Sequence, residues 1–274
     1  MATPLLAPGP DARVSDLTEK RVHDDDAGAT EVIVAAGIGI VSVSVSAGHI
    51  GRFGVTRRCV PRDVAAGDGI LAVATDEAVL CRAGEEFVTT GFGPAVAVGV
   101  RNETILAADE DGQVARFGDG GDAWTDVGTV DAGVRSIDGP LLATDAGVYR
   151  ISTEGTTIKP VGLDAVTDVA ARGPYAATER GLYALGNGWV QVIEGEFEAV
   201  AAASRERACA AGGGVHEREG GAWRTVDLPT TDRVVDVAMG ERAYAITGSG
   251  TLLAGHDWRA RALGVSGVVG VAVA

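Results

Sequence analysis

With 274 residues and 46% hydrophobic content, the chain suffices for one large domain or two small ones. Thirty-eight acidic against 23 basic residues leave a net charge of −15, which argues against phosphate-contacting nucleic-acid binding and against anionic membrane surfaces. No apolar span of about 18 residues occurs, so no transmembrane helix and no membrane insertion are expected.

Residues 1–30, with Pro4, Pro8 and Pro10 at their start, read as a partly disordered N-terminal extension. Within it Glu19-Lys20-Arg21-Val22 fits either an edge strand or a cap, and His23-Asp24-Asp25-Asp26 reads as a solvated charge run rather than a metal site. No basic region leads into an apolar core, so no secretory signal is expected.

From residue 31 to 274 one unit recurs seven times. Its turn falls at Gly39, Ala78, Gly112, Gly147, Gly181, Gly214 and Gly250, 33 to 39 residues apart, a period that marks propellers and solenoids. The first strand of the unit is clearest at Arg62–Ala65, Thr167–Ala170 and Val235–Ala238, and the second at Ile70–Ala74, Ile105–Ala108, Leu141–Thr144 and Tyr175–Thr178. The third follows the turn, as in Gly147–Arg150, Gly181–Ala184 and Gly214–His216. The fourth opens with a bulky residue three places after a glycine: Phe87, Trp124, Ile158, Trp189, Trp223 and Trp258. All four tryptophans of the chain stand there, as suits rings filling the gap between radial sheets. The runs are short, rich in β-branched residues and bounded by glycine turns, which is the strand pattern. Residues 199–211 are rich in alanine, yet their register in the repeat predicts strands.

Four strands repeated about every 35 residues describe a blade, so the expected fold is an all-β, seven-bladed propeller with four-stranded blades in one domain, 31–274. The first unit lacks an opening strand. Val268–Ala274 resembles Val234–Ala238 and has no partners of its own, so the C-terminal strand is expected to close blade one. Cys59, Cys81 and Cys209 are too few and too scattered for a disulfide framework and fit free thiols in a cytoplasmic protein.

Two groups of carboxylates carry the candidate chemistry. Asp63, Asp168 and Asp236 recur in the innermost strand, with Ala97, Gly133, Ala199 and Gly270 at the same place elsewhere. Lining the channel, they suit either a Ca²⁺ ion, which takes six to eight oxygens, or backbone N–H bonds between blades; the second is the expectation, and no cofactor is required. Asp76, Glu77, Asp109, Glu110, Asp111, Asp145 and Glu179 occupy the second-to-third-strand turns, an acidic ring that is either a solvated surface or attractive to a basic partner, and the face that bears it is the expected docking face. His49, His216 and His256 fall in separate units and make no zinc spacing. No nucleophile elbow or phosphate loop is present.

Asp119-Gly120-Gly121-Asp122-Ala123-Trp124 looks like the Asp box of sialidase-type propellers, a folding turn in that family. Ala143-Thr144-Asp145-Ala146-Gly147-Val148-Tyr149 resembles the repeats of photosystem-assembly-factor-like propellers and of two-component sensor ectodomains. Lys20 and Lys159 are the only lysines against 21 arginines. With this acidity the chain from 31 to 274 resembles a haloarchaeal β-propeller family. The resemblance implies the fold; the expected function is that of a non-catalytic binding or scaffold propeller, monomeric or weakly associating, with a protein partner in a salt-rich archaeal cytoplasm. The alternatives are a sialidase-like or lyase-like enzyme using the channel carboxylates and an assembly factor for a larger complex. The sialidase reading lacks an assignable set of three arginines with a Tyr–Glu pair.

Overall fold

The repeat folds as a ring of blades. A computed structural model describes residues 28–118 and 121–274, with 121 and 122 as backbone alone. The 19–22 and 23–26 segments and most of the Asp119–Trp124 box lie outside the described residues. Among the described residues there are seven four-stranded antiparallel sheets and no helix long and apolar enough to cross a membrane. Blade 2 shows the plan: an inner strand Pro61–Gly67, then Ile70–Thr75, Val79–Ala83 and an outer strand Glu86–Thr89. The alanine-rich stretch forms two strands, Ala199–Ser204 and Arg207–Ala211, because its residues sit between neighbouring sheets where register outweighs helical propensity.

Closure follows the expected route. Gly270–Val273 pairs with Thr30–Ala36 in blade 1, Val32 facing Val273 and Ala35 facing Gly270. Val271 is buried against blade 7, whereas Ala272 packs toward blade 2. Val268 and Val273 are half-buried, and Val269 is 43% exposed, so the tail contributes less burial than four valines would. Its apolar contribution is about 3–6 kcal/mol.

The core is divided into seven layers, each between two blades. The tryptophans occupy these gaps. Trp124 Nε1 donates to Thr90 O of the preceding blade at 3.0 Å, and Trp189 Nε1 to Val161 O at 3.0 Å. Trp223 stands edge-on to Tyr175, 5.3 Å between centroids. Trp258 is buried between blades 6 and 7 but lies in the turn before its strand, at φ 47°, and not within it.

The repeat's turn has a steric cause. At Gly39, Gly112, Gly147 and Gly250 φ is positive, and a Cβ would stand 2.1–2.3 Å from the carbonyl oxygen of Arg57, Val130, Leu163 or Val265. The chain leaving the outer strand therefore passes through the space a side chain would fill. A buried threonine braces the same turn: Thr144 Oγ1 donates to Gly147 O at 2.7 Å, and Thr75 and Thr178 do likewise to Ala78 and Gly181.

Two outcomes are expected. Deleting 268–274 leaves blade 1 with three strands and abolishes the cooperative melt and near-UV dichroism; an unchanged melting temperature would remove the closure from the stability of the ring. Gly147→Ala lowers stability by at least about 2 kcal/mol in denaturant unfolding, whereas Gly69→Ala, whose Cβ would meet nothing within 4 Å, costs less.

Candidate functional site

The inner strands enclose a channel whose cavity measures about 830 Å³. Its wall begins at the level of Asp63, Asp168 and Asp236 and continues to the turns between first and second strands, including Gly67–Ile70, Gly139–Pro140 and Ala171–Arg172. Those turns form its mouth. Asp68–Gly69 and Asn102–Glu103 have φ values of 49–77° at both central positions, the tight hairpin geometry that keeps the rim low.

Each channel aspartate clips two blades together. Asp63 accepts the Val64 N–H on Oδ1 and the Val98 N–H of blade 3 on Oδ2, both at 2.8 Å. Asp168 does the same for Val169 at 2.8 Å and Val200 at 2.7 Å. Asp236 takes Val237 at 2.8 Å and Val271 of the closing strand at 2.7 Å. The receiving blades carry Ala97, Ala199 and Gly270 at the aspartate's position. A Cβ on Gly270 would lie 3.2 Å from Asp236 Oδ2, so small residues there make room for the neighbour's carboxylate. In blade 4 the equivalent residue is Ser136 rather than Gly133. A pairing irregularity precedes Ser136, as it does each of the three aspartates, and shifts the register by one residue. Ser136 Oγ donates to Asp168 at 2.6 Å, and Asp138 accepts the Ala171 N–H at 2.7 Å, which completes the junction of blades 4 and 5.

This arrangement satisfies the carboxylates with backbone amides. Among the described residues no group of three His, Cys, Asp or Glu side chains is placed to hold a metal ion. Burial in the narrow channel pushes the Asp63 carboxyl up to about 7 and that of Asp168 to about 6, against the lowering effect of their amide donors. Asp236 is raised well above the carboxylate range by burial and by repulsion from Asp168 and Asp63. Burial likewise raises Asp138.

The acids of the second-to-third-strand turns lie elsewhere. Asp76, Glu77, Asp109, Glu110, Asp111, Asp145 and Glu179 stand at the opposite end of the strands from the mouth, and none lines the cavity. Several are engaged locally: Arg62 pairs with Glu110, Arg135 with Asp145 at 2.5 Å, and Asp109 Oδ1 caps its own turn by accepting the Asp111 and Gln113 N–H groups.

A role for arginine emerges that the sequence reading missed. On the mouth face arginines staple blades through backbone carbonyls. Arg101 Nη1 donates to Ser152 O at 3.2 Å, Arg205 Nη2 to Leu185 O at 2.6 Å, Arg207 to Gly240 O, and Arg261 Nη1 to Ile50 O at 2.8 Å. Arg82 pairs with Glu31 of blade 1 at 2.5 Å. A planar fork of donors suits such shared carbonyls better than a lysine ammonium, and the ratio of 21 arginines to two lysines was the available signal.

The model of the HVO_0234-like beta-propeller family matches residues 16–274. The chain belongs to that family. No curated protein matches the sequence. Among solved structures, this HVO_0234-like propeller is similar to the extracellular domain of the putative hybrid two-component system BT4673 from B. thetaiotaomicron. That match has a TM-score of 0.59 and 11% identity, over 80% of this chain and 37% of that one, so the propeller spans under two fifths of that relative. It is also similar to U3-55K (TM-score 0.59, 13% identity, 87% and 90% covered) and to YCF48 bound to D1 peptide (0.56, 14%, 74% and 82%). At these identities the likeness establishes the fold.

The channel acids have a pH consequence. Their folded-state pKa values lie above those of an unfolded chain, so between about pH 4 and 7 the folded protein binds more protons, and stability falls as pH rises through that window. The melting temperature at fixed high salt is expected to be higher at pH 5 than at pH 8. Asp63→Ser, which copies the residue of blade 4, should flatten that dependence; an unchanged slope would assign it to the net charge instead.

Proposed function

We propose that this propeller is a non-catalytic binding or scaffold module that engages a protein partner at the channel mouth, as a monomer in a salt-rich archaeal cytoplasm. The observation that carries the reading is the cavity itself, whose polar rim converges from the first turns of the blades. Its carboxylates are held by backbone amides, and no histidine or cysteine lines its wall, which favours binding over catalysis. The fold supports the same reading: a propeller of this shape, YCF48, is known in complex with a D1 peptide. The salt-rich setting rests on the charge of −15 and the scarcity of lysine, since molar salt shortens the Debye length to about 3 Å and screens the self-repulsion.

Affinity capture from a lysate kept in molar salt tests the docking face. Ala203→Trp narrows the mouth and is expected to reduce recovery of the partner at least tenfold, whereas Glu179→Lys on the opposite face retains it. The reverse pattern would move docking to the acidic turns, and capture of no partner by the unaltered protein would overturn the binding reading.

A further inference from the structure

Arginine recurs at the first turns of the units, as Arg101, Arg172, Arg205 and Arg242. Three of these lie against a neighbouring blade: Arg101 and Arg205 on the carbonyls of Ser152 and Leu185, and Arg242 beside Gly48, whose Cβ would stand 2.7 Å from Nη1. Arg172 behaves differently. It belongs to blade 5, which faces blade 2 across the ring, yet its Nη2 lies 3.9 Å from Asp68 Oδ1 in the first turn of blade 2. The guanidinium therefore spans the mouth of the cavity. The side chains are 67% and 39% exposed and meet at the limit of ion-pair distance. Such an open pair is weakly held and weaker still in salt.

The surroundings decide what would replace it. Asp63, Asp68, Asp138, Asp168 and Asp236 line the cavity against Arg82, Arg101 and Arg172. Arg82 is engaged by Glu31 and Arg101 by Ser152. The hydrogen bonds reaching the three deep aspartates come from backbone N–H groups and Ser136, not from a cation. An incoming carboxylate would meet the Asp68 carboxylate at the rim, above aspartates whose own ionisation is already opposed by burial and by one another. An incoming cation replaces like with like, and Arg172 swings free into solvent. Resting on the reading of this mouth as the docking site, we propose that Arg172 is the internal occupant of a cation seat at Asp68, and that the partner delivers a guanidinium or ammonium side chain that takes its place.

The test is a titration of the folded protein with an acetylated, amidated Gly-Arg-Gly peptide and its Gly-Glu-Gly counterpart, followed by amide NMR shifts at Gly67–Ile70 and Ala171–Arg172. The arginine peptide is expected to shift these turns and the glutamate peptide to leave them unmoved. Arg172→Ala should tighten the arginine peptide about two- to fivefold by removing its competitor, and Asp68→Asn should weaken it by a similar factor. Arg172→Gln guards against a local packing effect and should act as Arg172→Ala does; melting curves confirm that each variant folds. Weaker binding by Arg172→Ala, indifference to Asp68→Asn, preference for the glutamate peptide, or no shift with either peptide would overturn the proposal. If Ala203→Trp still abolishes partner capture in that event, the docking face stands and the cation seat alone falls.

Discussion

Seven sheets that share no ladder hydrogen bonds are held together chiefly through their side chains, beside a few backbone bonds from the links, such as Phe197 N–H to Thr178 O at 2.9 Å. Near the axis that task falls to carboxylates. Asp63, Asp168 and Asp236 each bind an amide of their own strand and one of the next blade, so a single side chain fixes the spacing of two inner strands. The last of these clips joins blade 7 to the closing strand, where the ring has its seam. The apolar layers between blades supply area, but they slide more easily than a pair of directional hydrogen bonds made by one side chain.

Outward from the axis the means of attachment changes. Tryptophans bridge blades 2 to 3 and 4 to 5 through carbonyls near the outer edge, and arginines do so on the mouth face. The opposite face carries acids, some neutralised by neighbouring arginines. The two faces of the ring therefore differ in charge chemistry although they are built from the same repeat. Arg172 reaches across the ring and not around it.

The architecture was largely legible in the sequence because it rests on local rules. Gly39, Gly112, Gly147 and Gly250 recur since only a residue without Cβ tolerates the passing outer strand, and that constraint writes itself at a fixed period. The structural role expected for the three aspartates followed from the same periodicity. Gly133 was matched to the aspartates because the inner hairpin of blade 4 is shorter than the others, Ser136 facing Ala143 where Asp168 faces Ala177 and Asp63 faces Ala74, and Ser136 does not resemble Asp. The cavity's orientation was illegible too. Where a cavity lies along a channel depends on seven turns meeting in space, so repeat spacing does not distinguish the acids of one face from Asp68 and Arg172 on the other. Long-range pairs such as Arg172 with Asp68 leave no mark in a single repeat.

The seam also bears on how the protein is made. Thr30–Ala36 is synthesised well before its inner neighbour in the sheet, Gly270–Val273, yet Val32, Ile33 and Val34 are destined for full burial. Until Gly270–Val273 emerges, that apolar strand keeps one edge without a hydrogen-bonding mate, which is a template for misassociation between nascent chains. Closure of the ring thereby waits until the far strand of its seam has been made, and until then the chain is an open crescent and not a closed disc.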